Sequence, residues 1–186
     1  MRSISIGLAL TAALASPALA HTGVGQADSF AAGIAHPLSG ADHILAMVAV
    51  GLWGVLAGGR AIWVWPTAFV AMMLAGFAAA TCGLQMPFVE PAIWSSVVFL
   101  VLFAALAVKA PVWLGAAIAG LFALFHGHAH GVEAGAAGLI PYAAGFSLST
   151  AGLNAVGIAL GLFAKTAVGK IALADAGEME SRRCSR

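Results

Sequence analysis

The sequence predicts an all-α fold: a polytopic transmembrane helical bundle of five spans, N-out and C-in, after a cleaved signal peptide. Three observations predict it. Of 186 residues, 62% are hydrophobic and 8% are charged, against roughly a quarter charged in an ordinary soluble domain. So few polar groups cannot cover a water-exposed surface, and a chain that crosses lipid must satisfy its backbone internally, as a helix does. The apolar residues also fall into runs near the ~20 residues that cross a bilayer. Finally, the basic residues fall on alternate connections between those runs, as they do when one side faces the cytoplasm.

Arg2, an apolar stretch over 4–14, the Ser16-Pro17 break and Ala18-Leu19-Ala20 make a secretory signal with cleavage after Ala20. Residues 21–174 form the membrane domain. Span one covers 38–58 and stops at Gly58-Gly59-Arg60, and span two covers 62–84 and stops before Met86-Pro87. Span three covers 91–108, before Lys109-Ala-Pro111, and span four covers 112–130. Span five covers roughly 142–168, because the stretch after Pro141 is too short for two crossings and a loop. Residues 175–186 make a short polar tail, expected to be cytoplasmic and disordered. Five spans place Arg60, Lys109, Lys165, Lys170, Arg182, Arg183 and Arg186 on the inner side. Six spans would put the basic tail outside, against the positive-inside rule.

The net charge of +1 gives no basic field for nucleic acid. Cys82 and Cys184 are far apart and form neither a disulfide framework nor a CxxC pair. The expected partners are therefore the lipid bilayer and a small ligand, with a homo-oligomer open as an assembly state.

The ligand is suggested by two histidine clusters in this oily chain. One is His36-Pro-Leu-Ser-Gly-Ala-Asp42-His43, and the other is His126-Gly-His128-Ala-His130-Gly-Val-Glu133. Ionisable groups within membrane spans are costly and mark functional sites. Imidazoles and carboxylates at this density point to a divalent transition metal held as cargo, with no prosthetic group implied. The candidate ligands are His36, Asp42, His43, His126, His128, His130 and Glu133. The five-span topology puts both clusters on the outer face.

Local geometry refines this list. Pro37 suits the first turn of a helix, which would place His43 and Met47 on one face with His36 just before it. Asp42 can ligate directly or orient a neighbouring imidazole. On span four, His126 and His130 share a face with Glu133 one step on, while His128 points elsewhere. Gly127, Gly131 and Gly135 form a small-residue ridge that lets another helix come close. Met47 at its helix-face position suits packing. Trp53, Trp63, Trp65, Trp94 and Trp113 fall near span ends and read as interfacial anchors.

These residues carry a family resemblance. His36-Pro-x-x-Gly40-x-Asp42-His43-x-x-x-Met47, continuing into Val50-Gly51-x-Trp53, resembles the signature of the HupE/UreJ family. The run from Phe125 through His126, His128 and His130 to Glu133 resembles its second motif, and Tyr142-Ala-Ala-Gly145-Phe146 to Thr150 its last region. Signal, size and span order fit as well. The resemblance implies a bacterial inner-membrane protein associated with hydrogenase or urease gene clusters, and a permease for Ni²⁺, with Co²⁺ as a second cargo; the residues by themselves imply a borderline divalent ion and leave Zn²⁺ open. In that family a histidine often stands where this chain has Asn154. An amide oxygen is a poorer nickel ligand than imidazole, which weakens span five's claim to metal passage and the claim to strict nickel specificity.

The function expected is thus non-enzymatic: a nickel permease with its site between spans one and four. Two alternatives are an intramembrane metal-dependent hydrolase and a non-transporting metal-binding assembly protein. The first has the residues for a catalytic zinc but no HExxH and no evident nucleophile.

Overall fold

The computed structural model describes residues 29–134 and 138–184. The signal segment and its cleavage site lie outside the described residues, as does Gly135. Six helices and no strand occur among the described residues. They are α1 (Phe30–Ser39), α2 (Ala41–Ala57), α3 (Ala61–Thr81), α4 (Val89–Ala105), α5 (Val112–Glu133) and α6 (Leu139–Cys184).

By length and composition α3, α5 and the Leu139–Ala167 part of α6 can each cross a bilayer. The pair α1 and α2 meets the same test jointly, although it bends by 86° between its halves. Helix α4 is apolar but has 17 residues, at the short end of the crossing range.

The start of span one differs from expectation. Pro37 does not open a helix; it lies inside α1, which the Ser29 side chain caps by accepting from Ala32 N at 3.0 Å. Proline lacks an N–H and crowds the carbonyl four residues back, so it weakens the last turn of α1. Gly40 then takes an extended conformation, φ −106° and ψ 124°, and the chain turns into α2. The expected single helix is therefore two helices joined at Gly40.

Helix α6 runs on to Cys184, so within the tail expected to be disordered the described residues, 175–184, are helical. Glu178, Met179, Glu180, Arg182 and Arg183 are good helix formers, which accounts for the continuation.

The most extensive packing is between α3 and α5. A Cβ on Gly76 would run into the Leu124 carbonyl, and one on Gly127 into the Met73 carbonyl. Only glycine permits this approach, as the ridge reading anticipated. Helix α2 packs on α6 in the same way, with Gly51 against Asn154 and Gly157 against Val48.

Two tryptophans depart from the interfacial reading. Trp53 and Trp65 are fully buried, with ring centroids 4.1 Å apart. Their indole N–H groups donate to the Val108 and Val112 carbonyls, both at 2.8 Å. The antiparallel α2–α3 hairpin brings the two rings together, and the chain leading into α5 supplies the acceptors a buried indole needs. Trp63, Trp94 and Trp113 are exposed, as anchors would be. At the same end, Lys109 donates to the Leu56 and Ala57 carbonyls and Lys165 to that of Val55. These cations satisfy the C-terminal carbonyls of α2, where a positive charge is favourable.

Candidate metal centre

The break at Gly40 makes room for the first cluster. A Cβ there would come within 2.6 Å of Asp42 Oδ1 and 3.1 Å of His43 Nδ1. Asp42 sits in the first turn of α2, where a carboxylate complements the helix N-terminus. Its Oδ1 lies 3.1 Å from His43 Nδ1. A carboxylate only accepts, so Nδ1 carries the proton and Nε2 keeps its lone pair. That Nε2 is buried, with no hydrogen-bond partner among the described residues. A carboxylate behind an imidazole whose other nitrogen is open is the usual support for a metal-binding histidine.

The second cluster lies in the last two turns of α5. Ser96 of α4 donates its hydroxyl to the Ile93 carbonyl at 2.6 Å. Its oxygen is 2.8 Å from His126 Nε2 and, its proton committed, can only accept there. His126 therefore carries its proton on Nε2 and leaves Nδ1 as a buried lone pair, again with no partner among the described residues. His130 is fully buried, stacked on Phe146 at 5.0 Å and 10°, and neither ring nitrogen finds a hydrogen bond among the described residues. Burying such a polar ring unpaired is unfavourable unless it has a ligand to meet.

The fold joins the two clusters. Ring centroids are 4.9 Å apart for His43 and His126, 5.1 Å for His43 and His130, and 4.7 Å for His36 and His130. His36, His43 and His130 each offer one ligand atom, all within 4.8 Å of one another. Two nitrogens opposite each other on one ion stand roughly 4 Å apart, so small side-chain rotations would bring three imidazoles to one ion. Glu133 Oε2 pairs with His36 Nε2 at 2.9 Å across the α5–α1 gap. Asp42 and Glu133 add two carboxylates beside these imidazoles.

Six of the seven expected residues are thus gathered at one end of the bundle. His128 stands apart, as its place on the helix requires. Its Nε2 donates to the Leu84 carbonyl at 2.8 Å, and it lines an open pocket of about 640 Å³ with Thr81, Gln85 and Met86. Met47 is buried in the hydrophobic core, and Cys82 is exposed at the end of α3. Sequence reasoning missed Ser96. The only hint was a pair of hydroxyls, Ser95-Ser96, in an otherwise apolar span.

Apolar helices of crossing length, with a half-buried histidine–carboxylate cluster at one end, define a helical membrane protein whose cluster could hold a metal ion. The chain belongs to the HupE/UreJ family: the family model described as "HupE / UreJ protein" matches residues 8–179. It is similar to "Protein HupE" of Rhizobium leguminosarum bv. viciae, at 45% identity over 179 residues, covering 89% of this chain and 92% of that relative. No solved structure matches it.

Proposed function

We propose that this chain is a permease for divalent nickel, with cobalt as a second cargo, in the bacterial inner membrane. The observation that carries the reading is the meeting of His36, His43 and His130, from three helices, with Asp42 and Glu133 beside them. Family membership directs the choice of metal toward the supply of enzymes such as hydrogenase or urease.

In this reading residues 1–20 are removed and the bundle crosses five times. The bent α1–α2 pair is the first crossing, followed by α3, α4, α5 and α6. The N-terminus lies outside, and the basic residues Arg60, Lys109 and Lys165 lie inside. Ni²⁺ enters from the periplasm and is drawn by the Glu133 and Asp42 carboxylates. It exchanges water for the imidazoles of His36, His43, His130 and His126. His128 holds the α3–α4 connection through Leu84 and serves the entrance rather than the central ligand set. Several partial ligand sets favour passage over trapping, because a permeating ion must be able to leave. The ligands of the cluster come from one chain, so a homo-oligomer is not needed to complete it.

The experiment is uptake of radioactive nickel by cells carrying only this protein, with cobalt and zinc as competitors. Saturable accumulation, lost in His43→Ala at equal membrane abundance, is the expected result. Tight stoichiometric metal in the purified protein without flux would overturn transport and favour a binding or assembly role.

A further inference from the structure

Inward of the imidazoles, one face of α6 carries polar groups that the cluster does not use. Phe146, which stacks on His130, is followed at four-residue intervals by Thr150 and Asn154. Each step is about 6 Å along the helix. The direction leads from the cluster toward Lys165, whose ammonium holds the far end of α2 at Val55. Both polar side chains are buried, with Asn154 only 1% exposed.

Their hydrogen bonding leaves acceptors over. Asn154 Nδ2 donates to the Thr150 carbonyl at 3.0 Å, which fixes the orientation of the amide because a carbonyl cannot donate. Asn154 Oδ1 is therefore the remaining atom, buried and with no partner among the described residues. The Thr150 hydroxyl donates to Met73 Sδ of α3 at 3.7 Å, a weak acceptor, so its own lone pairs remain available. An acceptor buried without a donor is unfavourable. Helix α2 approaches this turn of α6 closely, with Gly51 against the Asn154 backbone carbonyl.

We infer that Asn154 Oδ1, with the Thr150 hydroxyl oxygen and the Met73 thioether, forms a second and weaker station for the divalent ion, between α2, α3 and α6. The inference rests on the transport reading above and extends it inward. An amide oxygen, a hydroxyl and a thioether are neutral donors that a borderline divalent ion accepts. Without a carboxylate or imidazole they hold it less tightly than the cluster does. A strong anionic site followed by a weak neutral one gives the ion a place to go and a reason to continue.

The test uses the full chain in proteoliposomes with a nickel-sensitive dye inside, and nickel binding in detergent as a parallel measurement. Asn154→Ala is expected to lower the flux about tenfold or more, the scale of losing one charge-assisted contact, while nickel bound at the outer cluster stays at the wild-type stoichiometry. Asn154→Asp, which keeps the oxygen and adds charge, is expected to saturate at lower nickel and turn over more slowly. Wild-type flux in Asn154→Ala would overturn the station. So would joint loss of binding and flux, which would make Asn154 a packing residue for the cluster. Absence of flux in the wild-type protein would instead overturn the transport reading itself.

Discussion

Ser96 Oγ lies 2.8 Å from His126 Nε2 while donating its own proton to the Ile93 carbonyl. The serine thereby selects the imidazole tautomer and leaves Nδ1 as the open nitrogen. A hydroxyl on α4 thus decides which nitrogen of an α5 histidine keeps its lone pair.

Ser96→Ala should therefore weaken nickel uptake by about tenfold, the lower end of what supporting partners of metal ligands contribute. Ser96→Thr should restore it, because the hydroxyl returns. Uptake at matched membrane abundance checks both, and unchanged uptake in the alanine variant would remove Ser96 from the site.

The cluster itself makes the sharpest prediction. His36→Ala, Asp42→Ala and His43→Ala should each abolish nickel-dependent uptake without loss of expression. Asp42→Asn retains an oxygen near His43 Nδ1 but loses the charge, so it should fall between, reduced about 10–100-fold. If all three alanine variants transport like wild type, the assignment of the site fails.

His128 should behave differently from its neighbours. Its ring holds the Leu84 carbonyl, so His128→Asn, which keeps a donor, should retain more uptake than His130→Asn. Competition curves with cobalt should be unchanged in the His128 variant. A change in metal preference would mark His128 as a ligand.

Helix contacts can be tested by stability alone. Gly127→Ala places a methyl against the Met73 carbonyl and should destabilise the fold by about 1–3 kcal/mol, the usual scale of overpacking. A lower thermal midpoint in detergent is the measurement.

The buried tryptophans predict a contrast. Trp65→Phe removes the indole donor to the Val112 carbonyl and should cost about 0.5–1.5 kcal/mol, the net worth of one hydrogen bond. Trp63→Phe changes an exposed ring and should lie within about 0.5 kcal/mol of wild type. Comparable melting of the two variants would contradict the burial of Trp65.

Much of this was legible in the chain. The lengths of the apolar runs located α3, α4, α5 and the apolar part of α6 to within a few residues, because hydrocarbon thickness fixes how much apolar chain a crossing uses. The separation of His128 from His126 and His130 followed from the helical repeat alone. Gly127 and Gly131, which face the Met73 and Phe77 backbone of α3, were marked by their four-residue spacing. The bend at Gly40 was not legible, because Pro37 is equally at home at a helix start and the N-cap at Ser29 lies in an unremarkable stretch. Trp53 and Trp65 were misplaced because a position near a span end does not say which side of the helix faces a neighbour.

The sequence by itself determined that the chain is helical and apolar, that its ionisable groups fall in two clusters, and which members of each helix share a face. These are properties of composition and of a fixed repeat, and they need no neighbour to be defined. Only the tertiary structure decided that His36 and His43 meet His126, His130 and Glu133, that Ser96 sets a tautomer, and that Asn154 Oδ1 is left over. Those facts depend on contacts between residues 30 to more than 90 positions apart in the chain. Such contacts arise from glycine-mediated helix packing, and the order of residues along one helix does not encode the facing side chain of another.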